Sequence, residues 1–138
     1  MALHKNVKID LLKRVPLFAG CSKTELARIA AIADEIRLPE GRTLTTEGEP
    51  GREFFILVEG AVDVRKGKRK INALTGGDFF GEVSVLAGTP RTATVTTTAP
   101  VRLLVVTDRG LQRLLKDSPS IQAKVLQAVA ERLAPATI

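Results

Sequence analysis

The chain has no tryptophan and no tyrosine, and only one cysteine, one histidine and one methionine among 138 residues. Each scarcity removes a class of function. Cys21 cannot form an intrachain disulfide and suits a reducing compartment. His4 is the only imidazole, so a single chain cannot build a His-rich metal site, and no other histidine is available to activate a serine or cysteine nucleophile. The P-loop pattern G-x-x-x-x-G-K-[ST] is absent, and the glycines at 76, 77 and 81 have the wrong spacing for G-x-G-x-x-G. No apolar run approaches the roughly 18–20 residues that a membrane span requires, and the start of the chain lacks a signal peptide's apolar stretch. The expectation is a soluble, cytoplasmic domain without catalytic activity.

Composition says what remains. Hydrophobic residues make up 44% and charged residues 26%, the balance of one folded domain rather than a disordered tail. The net charge of +6 admits anionic partners, but it is spread along the chain. Its densest run, Arg65, Lys66, Lys68, Arg69 and Lys70, reads as a solvated hairpin.

Residues 1–10 read as a basic, loosely periodic tail, 11–133 as the domain and 134–138 as a C-terminal tail. Ser22-Lys23-Thr24-Glu25 fits a capping box, and Leu26, Ile29, Ala30 and Ala33 continue at helical spacing, predicting a helix over about 23–34. After Pro39-Glu40-Gly41 the pattern becomes short β segments broken by glycine. These are Thr43–Thr46, the apolar run Phe54–Val58, an alternating stretch around Val62 and Val64, Lys70–Leu74, Thr92–Thr98 and Val101–Val106. Asp108 is placed to cap a short helix carrying Leu111, Leu114 and Leu115. Ser118-Pro119 starts a last helix whose apolar stripe is Ile121, Val125, Ala128, Val129 and Leu133. The fold class is mainly β: an antiparallel jelly-roll barrel with one N-terminal helix, a short helix within the β region and two C-terminal helices.

The segment Gly76–Val95 carries the chemistry. Gly81 lets a backbone approach a ligand closely, because it has no Cβ. Glu82–Leu86 is long enough for about one helical turn, whose first amides are unpaired donors for an anion. Arg91 brings a planar fork that can grip two phosphate oxygens. Glu82 repels phosphate but accepts from a sugar hydroxyl, or holds Arg91 while the site is empty. One phosphodiester anion plus one free hydroxyl describes a cyclic nucleotide; a plain loop ion pair between Arg91 and Glu82 is the competing reading. The four phenylalanines Phe54, Phe55, Phe79 and Phe80 read as core.

Gly81-Glu82-Val83-Ser84-Val85 followed by Pro90-Arg91-Thr92-Ala93-Thr94-Val95 resembles the phosphate-binding cassette of the cyclic nucleotide-binding domain family, shared by the catabolite activator protein and protein kinase A regulatory subunits. Glu47-Gly48-Glu49, Phe54–Gly60 and Pro16-Leu17-Phe18 resemble other parts of that family, so the likeness runs from about Leu11 to Leu133. The resemblance implies a ligand-binding set of Gly81, Glu82, Val83, Ser84, Arg91 and Thr92. Arg91 would pair with the exocyclic phosphate oxygens and Glu82 with the ribose 2′-hydroxyl. The Ser84 and Thr92 amides would add phosphate donors, and Gly81 room and a backbone contact. The ligand implied is cAMP, with cGMP left open by a threonine at 92; no further cofactor and no metal is implied.

Two departures from the family stand out. The last helix has no aromatic residue to lay over the base, with Gln127 and Arg132 as the candidates, and nothing after Leu133 could form a helix-turn-helix, so direct DNA binding is not expected. The expected partners are therefore a cyclic nucleotide and an effector protein or second copy met through the C-terminal helix. The alternative function is a ligand-independent interaction or dimerisation module on the same fold.

Overall fold

Ser22 organises the start of the domain: its hydroxyl accepts from the Glu25 amide at 3.2 Å while the Glu25 carboxylate accepts from the Ser22 amide at 2.8 Å. This reciprocal cap starts α2 (Lys23–Ile32), as the sequence pattern requires. The computed structural model of the chain describes residues 5–133. Helix α1 (Lys5–Lys13) and a 3-10 turn (Pro16–Phe18) precede α2. Then come β1 (Asp34–Leu38), β2 (Thr43–Thr45), β3 (Glu53–Glu59), β4 (Ala61–Lys66), β5 (Arg69–Thr75), β6 (Phe79–Phe80) and the short helix α3 (Glu82–Ala87). Strands β7 (Thr94–Thr97) and β8 (Val101–Thr107) lead into α4 (Asp108–Asp117) and α5 (Pro119–Leu133).

The strands form two antiparallel sheets of four, in the orders β1-β8-β3-β6 and β2-β7-β4-β5. No described strand is hydrogen-bonded into both sheets, so the β body is a two-sheet sandwich and the jelly-roll barrel expected from the sequence is not closed. The first sheet is the middle of three layers. Along β3, Phe54 and Ile56 point into the helices while Phe55 and Leu57 point toward the second sheet. Strand β8 divides likewise, with Leu104 and Val106 on the helical side and Leu103 and Val105 on the other. Burial on both faces is why both strands read as continuous apolar runs. The phenylalanines pair between β3 and β6, one pair on each face: Phe55 stacks on Phe80 with ring centroids 4.8 Å apart, and Phe54 meets Phe79 edge-on at 5.8 Å.

Three helix boundaries differ from the sequence reading. Residues 5–10, expected in a tail, belong to α1, whose Ile9 and Leu12 are buried in the helical core, so two helices rather than one precede the strands. Periodicity over so short a stretch is hidden by the surrounding lysines. Helix α2 stops at Ile32, because Ala33 turns extended and Asp34 begins β1, which pairs with β8 from Asp34 opposite Val105 to Leu38 opposite Val101. The cap of α4 is Thr107, whose hydroxyl accepts from the Gly110 amide at 3.1 Å, and Asp108 is the first helical residue. Helix α5 does begin at Pro119. His4 and the 134–138 tail lie outside the described residues.

Glu25 also ties the helices together, since its Oε1 accepts from Lys124 Nζ of α5 at 2.9 Å. The Ser22 amide first, then the Lys124 ammonium, hold its carboxyl at about 2, below its ordinary 4.5. A carboxylate depressed in the folded state contributes stability above its unfolded value and loses it as the pH drops. Denaturant melts should therefore show stability falling between pH 4.5 and about 2, with Glu25→Gln flattening that limb; an acid limb unchanged by the substitution would remove Glu25 from the cause. Ile9→Ala should cost about 2–5 kcal/mol in the same melts, while Val7→Ala, on the exposed face of α1, stays within about 0.5 kcal/mol.

Candidate functional site

Six polar or charged residues are buried among the described residues: Thr45, Glu82, Ser84, Arg91, Thr97 and Ser118. The first four line one cavity of about 180 Å³, between the inner face of the second sheet and α3. Buried polar groups are expensive, so their gathering at one place marks it as a site rather than core.

Gly81 turns the chain from β6 into α3 in the left-handed conformation, at φ 87°, which a side chain rarely adopts. Its carbonyl accepts from Arg91 Nη1 at 3.2 Å, and the Glu53 carbonyl accepts from Nη2 at 2.9 Å. The guanidinium carbon lies 5.7 Å from the centroid of the Phe55 ring. Burial pushes Arg91 below its ordinary range, opposed by the charges of Glu53 and Glu82, and an arginine stays protonated throughout. The main chain of Arg91 is clamped as well. Its amide donates to the Glu49 carbonyl at 2.8 Å and its carbonyl accepts from the Gly48 amide at 2.9 Å.

The ligand-binding set expected from the sequence lines this cavity: Gly81, Glu82, Val83, Ser84, Arg91 and Thr92. Glu82, Ser84 and Arg91 are buried, Gly81 and Val83 half-buried, and Thr92 is exposed at the rim. Arg91 and Glu82 do not sit on an open loop, since both are buried, and the arginine fork bonds to main-chain carbonyls besides feeling the charge of Glu82. Sequence reasoning missed the residues that hold the arginine, Gly51 and Glu53, and the opposite wall, Thr45, Val64, Asn72, Leu74 and Val95. The alternation of Val62 and Val64 was a visible signal for part of that wall. The strand register that brings Asn72 beside Val64 has no local signature. Gln127, a candidate for covering the base, lies away from the cavity lining and donates to Glu131 at 3.2 Å; the Arg132 side chain is outside the described residues.

Residues 35–118, more than half of the chain, match the family model for the cyclic nucleotide-binding domain. The chain belongs to the cyclic nucleotide-binding domain family. Among its relatives is a cAMP-dependent protein kinase regulatory subunit of Mycosarcoma maydis, 38% identical over 123 residues that span 83% of this chain and 23% of that protein. A CRP-like cAMP-activated global transcriptional regulator of Mycobacterium tuberculosis is 30% identical over 129 residues, 90% of this chain and 58% of the relative. The chain thus spans less than two thirds of either. A crystal structure of the N-terminal domain of a transcriptional regulator from Streptomyces coelicolor A3(2) superposes with a TM-score of 0.77 at 32% identity, covering 93% of this chain and 95% of that one. The structure of PKAR CBD2 with Sp-2Cl-cAMPS bound gives a TM-score of 0.79 at 25% identity, covering 97% and 92%. No described helix of this cyclic nucleotide-binding domain is long and apolar enough to cross a membrane.

Gly51 controls how closely the clamp can close. A Cβ there would stand 2.5 Å from Arg91 Nε and 2.6 Å from the Ser84 Cβ. Gly51→Ala should push the guanidinium off the Glu53 and Gly81 carbonyls and cost about 1–3 kcal/mol of stability, read by denaturant melts and a crystal structure of the variant. An arginine unmoved in that structure would show that the close approach is not what seats it.

Proposed function

We propose that the chain is a cyclic nucleotide sensor whose preferred ligand is cAMP. The observation that carries this reading is the buried Arg91, its guanidinium held by two carbonyls, on the wall of a cavity that a buried carboxylate and a helical turn also line. Arg91 takes the phosphate oxygens, helped by the Ser84 and Thr92 amides, with Gly81 supplying a backbone contact and Val83 the adjoining wall. Glu82 accepts from the ribose 2′-hydroxyl. The division of labour follows from charge, since a carboxylate binds a hydroxyl and repels the phosphate that the arginine attracts. The relatives' names, a cAMP-dependent kinase regulatory subunit and a cAMP-activated transcriptional regulator, support the same ligand and a regulatory, non-catalytic role.

Binding reaches the C-terminal helices through packing. Gln112 of α4 donates to the Val85 carbonyl of α3 at 3.4 Å, and α4 packs on α5. A ligand that orders α3 can bias these helices only to the extent that it binds one arrangement better than the other. The output is an effector or a second copy of the chain that reads α5. Light scattering with and without cAMP separates the two, since a dimer indifferent to cAMP and cGMP would favour the ligand-independent module.

Arg91→Ala should still fold, with stability lowered by about 1–3 kcal/mol for the two carbonyls left without their donor, and should cost about 2–5 kcal/mol of binding, roughly thirtyfold or more in Kd, in calorimetric titrations with cAMP. Arg91→Lys should recover only part of the loss, because an ammonium cannot span two oxygens. Equal cAMP affinity in wild type and Arg91→Ala would overturn the assignment.

A further inference from the structure

Away from Arg91, the register of the second sheet sets four residues in a row across its width. Thr45 faces Val95, Val95 faces Val64, and Val64 faces Asn72. All four line the cavity. With neighbouring strands about 4.8 Å apart, the row is about 14 Å long. Its middle is apolar, a surface for the flat face of a base. At its inner end the Thr45 hydroxyl is already donated to the Ala93 carbonyl at 2.9 Å. At its outer end stands Asn72, exposed on the edge strand β5.

The Asn72 side chain is not free to turn either way. Its Oδ1 accepts from the Ala73 amide at 2.9 Å, and an N–H donor can be accepted only by the oxygen of the side-chain amide. The Asp78 carboxylate closes the Thr75 amide in the same manner at 2.9 Å, so side chains occupy two main-chain donors of this edge strand. Occupied in this way, Asn72 offers the cavity its Nδ2 group, which donates and cannot accept.

We propose that Asn72 selects adenine over guanine by donating from Nδ2 to the Watson–Crick edge of the base. The inference rests on the cyclic nucleotide reading above. With the phosphate at Arg91 and the ribose at Glu82, the base extends over Val95 and Val64 toward β5. The edge of a purine farthest from its sugar is the Watson–Crick edge, and that edge reaches the outer end of the row. Adenine presents the N1 acceptor there. At the same ring position guanine presents an N1–H donor flanked by N2–H donors, and its acceptor on that edge, O6, lies to the side at the corner, so an Nδ2 group set opposite position 1 faces another donor.

Two variants separate this role from a structural one. Asn72→Leu removes the donor, and Asn72→Asp keeps an oxygen for the Ala73 amide while turning the other atom into an acceptor. Each, with the wild type, is titrated calorimetrically with cAMP, cGMP and 1-deaza-cAMP, which lacks only the ring acceptor. The wild type should bind 1-deaza-cAMP about three- to tenfold more weakly than cAMP, and Asn72→Leu should erase that difference. Asn72→Asp should move the cAMP-to-cGMP affinity ratio about tenfold toward cGMP. If the wild type binds and both variants keep its ratios, or weaken all three ligands alike, Asn72 does not read the base and the cyclic nucleotide reading stands. A wild type that binds none of the three removes both.

Discussion

A buried guanidinium needs partners, and the placement of Arg91 dictates much of what surrounds it. Its fork bonds to the carbonyls of Gly81 and Glu53, so β3 and the β6–α3 turn must meet at one point. Its main chain bonds to Gly48 and Glu49, which brings the turn after β2 to the same place. Gly51 must lack a side chain for these parts to close. Carbonyls hold the fork in position while offering no full counter-charge of their own, which is what a site for an anionic ligand requires.

The three-layer arrangement makes that meeting point rigid. The first sheet is packed on both faces, by the helices on one side and the second sheet on the other, so β3 and β8 carry the apolar centre of the molecule. The cavity is lined by residues of the second sheet on one side and by Gly81–Ser84 and Arg91 on the other. One wall is thus charged and built from turns, while the other is apolar and built from strand register. A ligand with a charged end and a flat apolar end suits both.

Much of the fold was legible because its signals are local. The Ser22–Glu25 capping box, the start of α5 at Pro119 and the double-sided burial of Phe54–Val58 each follow from neighbouring residues. The cassette was legible for the same reason, since Gly81 to Ser84 and Arg91 to Thr92 lie within a dozen residues of one another. What escaped were pairings over distance. Strand β1 forms because β8 offers it an edge, and α1 forms against a core to which Ile9 and Leu12 contribute. That the jelly-roll barrel stays open as two sheets also escaped, because sheet closure depends on strand stagger, which alternation alone does not specify.

From the amino-acid order alone came the resemblance to the cyclic nucleotide-binding domain family. A glycine before a helical turn, a carboxylate at its start and an arginine nine residues later carry that likeness, because their spacing is set within one stretch of chain. Only the tertiary structure decided how that arginine is seated and what faces it. Glu53 lies 38 residues from Arg91, and Asn72 reaches the cavity through the pairing of β5 with β4 and of β4 with β7. Hydrogen bonds between distant strands depend on register, and a shift of one residue would turn Asn72 and Val64 to the opposite face.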